Sequence, residues 1–347
     1  MIVVLKSKTI IAVFIAIVMI ISFFAFLLIK QNEPISDEDY LPAMTDGYIK
    51  WVEFNVPYGL LEKAYNLDIK SFGTPIKLNW IELLSYLAAK YGGNFKRYKA
   101  KDLDALVKRL KSGENIADIT KDMKYYSYFH EAYTSILGEF IGEYQIQTKD
   151  KATGQIIWEK KYTLKAFSPI AKGYGFSHYD DFGDSRNFGY RRKHLGNDLM
   201  GNVGTPIIAV ESGIVEVAAW NVYGGWRVGI RSFDKKRYYY YAHMRKDKPF
   251  QIDITEGSIV KAGDVIGYLG MTGYSTKENK NNIKTPHLHF GMQLIFDESQ
   301  KEGVNQIWIN VYNIVRLLQK NRSAVTKNTE NSEFYRTYDI LLPGISD

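Results

Sequence analysis

The chain of 347 residues contains no cysteine. Disulfides, thiolate-bound zinc and a thiol nucleophile are therefore excluded, and any metal has to be held by imidazole and carboxylate. Histidine is scarce as well: the six are His130, His178, His194, His243, His287 and His289. Charge is missing altogether from residues 9–29, TIIAVFIAIVMIISFFAFLLI, a length close to the ~20 residues a helix needs to cross a bilayer. A small-x-small cleavage pattern is missing just after this run, which favours a retained membrane span over a cleaved signal peptide. Lys6 and Lys8 precede the run, and the acidic residues Asp37, Glu38 and Asp39 follow Lys30. The positive-inside rule then expects a single-pass membrane protein with a cytoplasmic N-terminus and everything beyond Lys30 outside the membrane.

What is present points to an α+β protein of more than one part. With 46% apolar and 14% aromatic residues, the chain has material for two folded domains plus extra segments. Its net charge of +7 favours anionic partners: nucleic acid, anionic lipid or an anionic cell-wall polymer. An extracytoplasmic topology argues against the first. The expected divisions are a cytoplasmic stub and transmembrane helix (1–30), a polar linker with Pro34 and Pro42 (31–47), a small, mainly helical domain with a β-hairpin (48–165), a mainly antiparallel β domain (171–320) and an unassigned polar tail (321–347). In the helical part, Asn79 with Glu82 reads as an N-cap and capping box ahead of Trp80, Leu83, Leu84 and Leu87, and Gly92-Gly93 as the stop. Residues 102–110 and 125–140 read as two further helices, with His130 packing in the second. Residues 144–148 and 155–163 read as a hairpin. No catalytic constellation is visible there.

Beyond residue 171 the texture changes to short strands separated by glycines, with expected strands at 206–210, 213–218, 226–232 and 237–241. The stretch KTPHLHFG, 284–291, carries two histidines two residues apart. On a strand, His287 and His289 share one face while Leu288 and Phe290 face the core. Two close imidazoles serve a metal ion or a reacting group beside one, or else are partly buried and bonded to their surroundings. His194 and Asp198 stand four apart with Gly196 between them, a spacing that lets imidazole and carboxylate converge at a bend. His243 follows a strand directly. Each residue has a plainer reading: Asp198 as a turn residue, His243 as the cover of a strand end. For His178, a second metal site with Asp180 or Asp181 stands against a solvated loop, and the loop is preferred. A cupin is disfavoured because no Glu follows His289 closely.

The ordered set HLGND, YAHM and HLHF, with GTPIIAVESGIV and V-x-x-G-D-V-I-G-x-x-G-x-T-G between them, resembles the lysostaphin and LytM family of zinc endopeptidases of bacterial peptidoglycan. The resemblance runs over about 182–310 and leaves 1–165 uncovered. It implies an antiparallel β fold with a groove, one zinc held by His194, Asp198 and His289, and His243 and His287 as the catalytic pair. Two departures stand out: HLHF is often followed by Glu in the family, where Gly291 stands here, and the loop 274–284 is long.

The chemistry is also arguable from residue types. Two His and one carboxylate leave a catalytic zinc an open position for water, whose pKa falls to about 7 when bound. A metal-free His243 or His287 can take the water's proton, hand it to the leaving amine and brace the oxyanion as imidazolium. Tyr190, just ahead of the first ligand, is expected at the groove as a further oxyanion contact. The sequence therefore suggests a membrane-anchored zinc endopeptidase acting on peptidoglycan peptides. The alternative is a non-enzymatic scaffold or activator of wall hydrolases, which typically lacks one of the five groups; here all five are filled.

Overall fold

Helices give way to strands at Ile141. A computed structural model describes residues 48–302 and 305–344, apart from the side chain of Tyr190; the apolar run 9–29 lies outside them. Among the described residues no helix is long and apolar enough to cross a membrane.

The helices are α1 (Tyr58–Ser71), α2 (Trp80–Tyr91), α3 (Ala100–Lys111), the single turn α4 (Ile116–Thr120) and α5 (Tyr126–Leu137). Helix α2 starts where the Asn79 side chain accepts from the amides of Ile81 and Glu82, and it ends at Gly92, whose φ of 57° is open to glycine at little cost. Only half of the expected capping box forms, since Glu82 makes no return bond. Helix α3 buries Leu103, Leu106 and Leu110, the stripe its spacing implies. Helix α1 was not expected. It begins at Pro57 with no side-chain cap, and one of its buried residues is an acid: Asp68 accepts from the Trp80 amide at 3.0 Å and the Tyr162 hydroxyl at 2.7 Å.

The strands are β1 (Ile141–Lys149), β2 (Ile156–Leu164), β3 (Ser177–His178), β4 (Ser185–Phe188), β5 (Tyr190–Lys193), β6 (Asn197–Met200), β7 (Pro206–Ile208), β8 (Gly213–Asn221) and β9 (Gly225–Ser232). After them come β10 (Arg237–Ala242), β11 (Ile259–Val260), β12 (Val265–Tyr268), β13 (His287–Leu294), β14 (Ile307–Trp308), helix α6 (Tyr312–Leu318), β15 (Val325–Lys327), β16 (Phe334–Arg336) and β17 (Ile340–Leu341). Eight of them form one antiparallel sheet in the order β11-β8-β9-β10-β13-β6-β3, with β14 also on β13. Leu288, Phe290 and Met292 of β13 are fully buried, so the opposite face of that strand carries the histidines.

Buried polar ties join the helical and β parts. Arg237 of β10, fully buried, donates to Glu211 at 2.8 Å, to Asp234 at 2.7 Å and to the Ser135 carbonyl of α5 at 2.5 Å. The Asn321 side chain donates to the carbonyls of Leu164 and Ala166. The tail beyond 321 is structured: β17 pairs with β1 through Ile146↔Ile340, and Ile340 and Leu342 join a core with Tyr144, Phe167 and Ile208. The described residues belong to one compact unit.

Candidate metal centre

Register on the central sheet sets the site. His289 on β13 lies opposite Asp198 on β6 and Ala242 on β10. His194 stands just before β6, and Gly196 lets the chain pass close to the partner strand: a Cβ there would lie 2.6 Å from His289 Nε2 and 2.7 Å from the Phe290 carbonyl oxygen. The outcome is a triangle. His194 Nε2, Asp198 Oδ1 and His289 Nδ1 lie 2.9 Å from one another. Among the described residues these three form the one cluster of potential ligands brought this close together.

Hydrogen bonding alone does not satisfy such a triangle. A carboxylate oxygen only accepts, so both nitrogens would have to carry protons and face each other at 2.9 Å. A small divalent cation removes the conflict by taking a lone pair from each atom. An ion at the ~2.0–2.1 Å typical of zinc–nitrogen and zinc–oxygen bonds fits over a triangle of this edge with one side left open. The donor set therefore fits zinc.

His243 and His287 stand beside this triangle without joining it, their rings 4.8 Å apart. Each is fixed in one tautomer, because His243 Nδ1 lies 2.9 Å from the Thr272 carbonyl and His287 Nδ1 2.8 Å from that of Thr285. A carbonyl accepts only, so each Nδ1 carries a proton and, in the neutral ring, Nε2 has the lone pair. The free His287 Nε2 is 3.7 Å from Asp198 Oδ1. Burial, and after it the neighbouring imidazoles of His287 and His289, push the His243 imidazole down to about 3. Burial also lowers His289, against the pull of Asp198. For Asp198 burial acts upward, yet its bonds to His194 and His289 carry the carboxyl well below the usual carboxylate range.

Residues 192–305 match the profile of peptidase family M23. This part of the chain belongs to peptidase family M23. Three curated relatives show how the match is distributed. The L-Ala–D-Glu endopeptidase of Bacillus subtilis is 36% identical over 161 residues, which are 44% of this chain and 48% of that protein. Lysostaphin of Staphylococcus staphylolyticus is 37% identical over 120 residues, 34% of this chain and 21% of that protein. The peptidoglycan DD-endopeptidase ShyC of Vibrio cholerae is 33% identical over 105 residues, 29% of this chain and 20% of that protein. The chain thus spans less than half the length of each.

The M23 domain surrounds the cluster with a groove of about 650 Å³, whose lining includes His194, Asp198, His243, His287 and His289. All five residues singled out by the three histidine motifs meet there. Tyr190 begins β5, on the hairpin that leads to His194; its side chain lies outside the described structure. His178 does not meet the cluster. It is half-buried on β3 against the Tyr312 ring, with Nδ1 2.6 Å from Asn197 Oδ1, which is neither a solvated loop nor a second metal site. Asp181, weighed as its partner, turns the other way: its carboxylate is 3.3 Å from His194 Nδ1 and 2.5 Å from Arg186 Nη2, which also reaches Asp198 Oδ2 at 3.4 Å. Neither Arg186 nor this use of Asp181 was foreseen, since the approach 172–192 has no periodicity to place them. Gly291 has a local reason. A Cβ there would lie 2.9 Å from Trp308, which lines the groove.

Proposed function

We propose that this protein is a zinc metalloendopeptidase that hydrolyses peptide bonds in bacterial peptidoglycan. The observation that carries the reading is the 2.9 Å triangle of His194, Asp198 and His289 beside two imidazoles with free Nε2 lone pairs. Two of the matched relatives are named as endopeptidases, and their names differ in the bond they specify, so the family supports the substrate class and leaves the bond open. His194, Asp198 and His289 would hold the zinc, which would supply Lewis acidity and lower the pKa of a water to about 7.

The rest is done by the chain's own groups. His243 or His287 accepts the attacking water's proton at Nε2 and returns it to the departing amine; while protonated, it donates toward the oxyanion. Burial favours the neutral form of His243, so its Nε2 lone pair is unprotonated near neutral pH. Tyr190 adds a donor at the groove, and Tyr190→Phe should then slow hydrolysis while leaving metal content unchanged.

For topology, the uncharged run 9–29 anchors the protein in the cell membrane with the M23 domain on the wall side, and anionic wall polymers complement the net charge of +7. The test is metal analysis coupled to release of new amines from cell-wall peptides. One zinc per chain and hydrolysis are expected, with both lost in Asp198→Ala and His289→Ala, while His287→Ala keeps the metal and loses hydrolysis. Wild-type protein without zinc would instead point to a non-enzymatic scaffold or activator of wall hydrolases.

A further inference from the structure

The lining of the groove carries positive charge that the protein itself does not balance. Arg192 is clamped between the rings of Tyr223, 4.8 Å from its guanidinium carbon, and Tyr274, 5.0 Å away; Phe188 stacks on Tyr274 at 4.9 Å. Its Nη1 is buried with no hydrogen-bond partner. Ring faces offset part of the cost of burying a guanidinium but accept no conventional hydrogen bond. Lys193 and Lys284 line the same groove, and among the described residues none of these three cations pairs with a carboxylate. Asp198 is the one carboxylate in the lining, and it is already engaged by two histidines and Arg186.

The cage is also close to the chemistry. The Tyr274 ring that holds Arg192 lies 5.8 Å from the His243 ring. Only the Tyr274 ring then separates an anion held at Arg192 from His243, and a carboxylate matches a guanidinium better than any neutral amide does. We infer that the groove selects peptides with a free carboxylate beside the scissile bond, and that Arg192 reads that carboxylate. A bridge built only of neutral residues leaves the three cations unanswered. This inference names the substrate class for the peptidase function proposed above and rests on it.

The test uses the full zinc-loaded chain and two matched peptidoglycan stem peptides, one with its side carboxyls free and one with them amidated. The acid form should be cleaved with kcat/KM about tenfold higher or more, the size of one charge-assisted hydrogen bond. In Arg192→Gln that ratio should fall to near one, and Arg192→Lys should restore part of the preference. Equal kcat/KM for both peptides in the wild type overturns the inference, as does a preference unchanged in Arg192→Gln. Calorimetric binding of the same pair reads the preference without turnover. Hydrolysis of neither peptide sinks the peptidase function, while equal binding of both sinks the carboxylate contact.

Discussion

Gly196→Ala is the smallest change that tests how the triangle is built. The added Cβ would lie 2.6 Å from His289 Nε2 and 2.7 Å from the Phe290 carbonyl oxygen. Relief to an ordinary contact of about 3.4 Å requires a shift of about 0.8 Å, the difference between 3.4 Å and 2.6 Å. The Phe290 carbonyl belongs to a central strand paired on both sides, with β10 and with β6, so it yields less than the imidazole does. His289 should therefore swing away from Asp198 and His194. A functional constellation tolerates about 0.5 Å, and the expected result is a zinc affinity at least ~10-fold weaker, with about 1–3 kcal/mol lost from overpacking. Competition with a chromophoric chelator measures the first and urea unfolding the second. Gly175→Ala, where nothing lies within 4 Å of the new Cβ, is the control. If Gly196→Ala binds zinc as tightly as wild type, the close approach of these two segments does not set the ligand geometry.

Three other outcomes are expected. The His243 imidazole is held down to about 3 when folded, against ~6.5 when unfolded, so below pH ~6.5 the unfolded chain binds a proton the folded chain refuses. Stability of the metal-free protein should therefore fall as pH drops from about 6.5 toward 3, with a slope from this group of up to ~1.4 kcal/mol per pH unit. His243→Asn should flatten urea unfolding against pH in that window, and an unchanged slope refutes the assignment. Arg237→Ala leaves Glu211 buried without its cation and should cost about 3–5 kcal/mol, read by urea unfolding; a cost under ~1 kcal/mol would show the tie to α5 to be dispensable. Ile340→Ala should cost about 2–5 kcal/mol, because Ile340 is fully buried in the core shared with Tyr144 and Phe167; wild-type stability would mean the tail merely lies on the surface.

The sequence exposed those parts of the molecule that depend on local periodicity and missed those that depend on distant contact. The alternation at 287–292 was enough to orient His287 and His289, because a strand permits two faces only. Helices α2 and α3 followed from a cap and a stripe of leucines. Helix α1 did not, since its buried face includes an acid whose partners, Trp80 and Tyr162, are supplied from elsewhere. The tail was illegible for the same reason: Ile340 has no periodic neighbours, and its burial comes from pairing with β1 almost two hundred residues away. Asp181 and Arg186 stand in a glycine-interrupted stretch where no repeat reveals direction, so proximity to His194 became visible only with the β4–β5 hairpin in place.

The two metal-free histidines show how loops prepare a site that the sheet alone does not. His243 sits at φ 61°, a left-handed conformation of the kind that costs a non-glycine residue about 1–3 kcal/mol. Its amide donates to the Gly224 carbonyl at 2.7 Å, and its Nδ1 meets the Thr272 carbonyl. Thr272 is itself held, its hydroxyl donating to the Met244 carbonyl at 2.5 Å and accepting from the Trp226 amide at 3.1 Å. The strained backbone is thus over-determined, and what it fixes is the ring's tautomer. A carboxylate at the position of Thr272 would have raised the imidazole pKa and left a cation beside the metal ligands. A carbonyl orients the ring equally well, and burial, not this bond, keeps the His243 ring neutral. The same orientation recurs at His287, whose Nδ1 is matched to the carbonyl of Thr285, so loop carbonyls fix the direction of both rings before any substrate arrives.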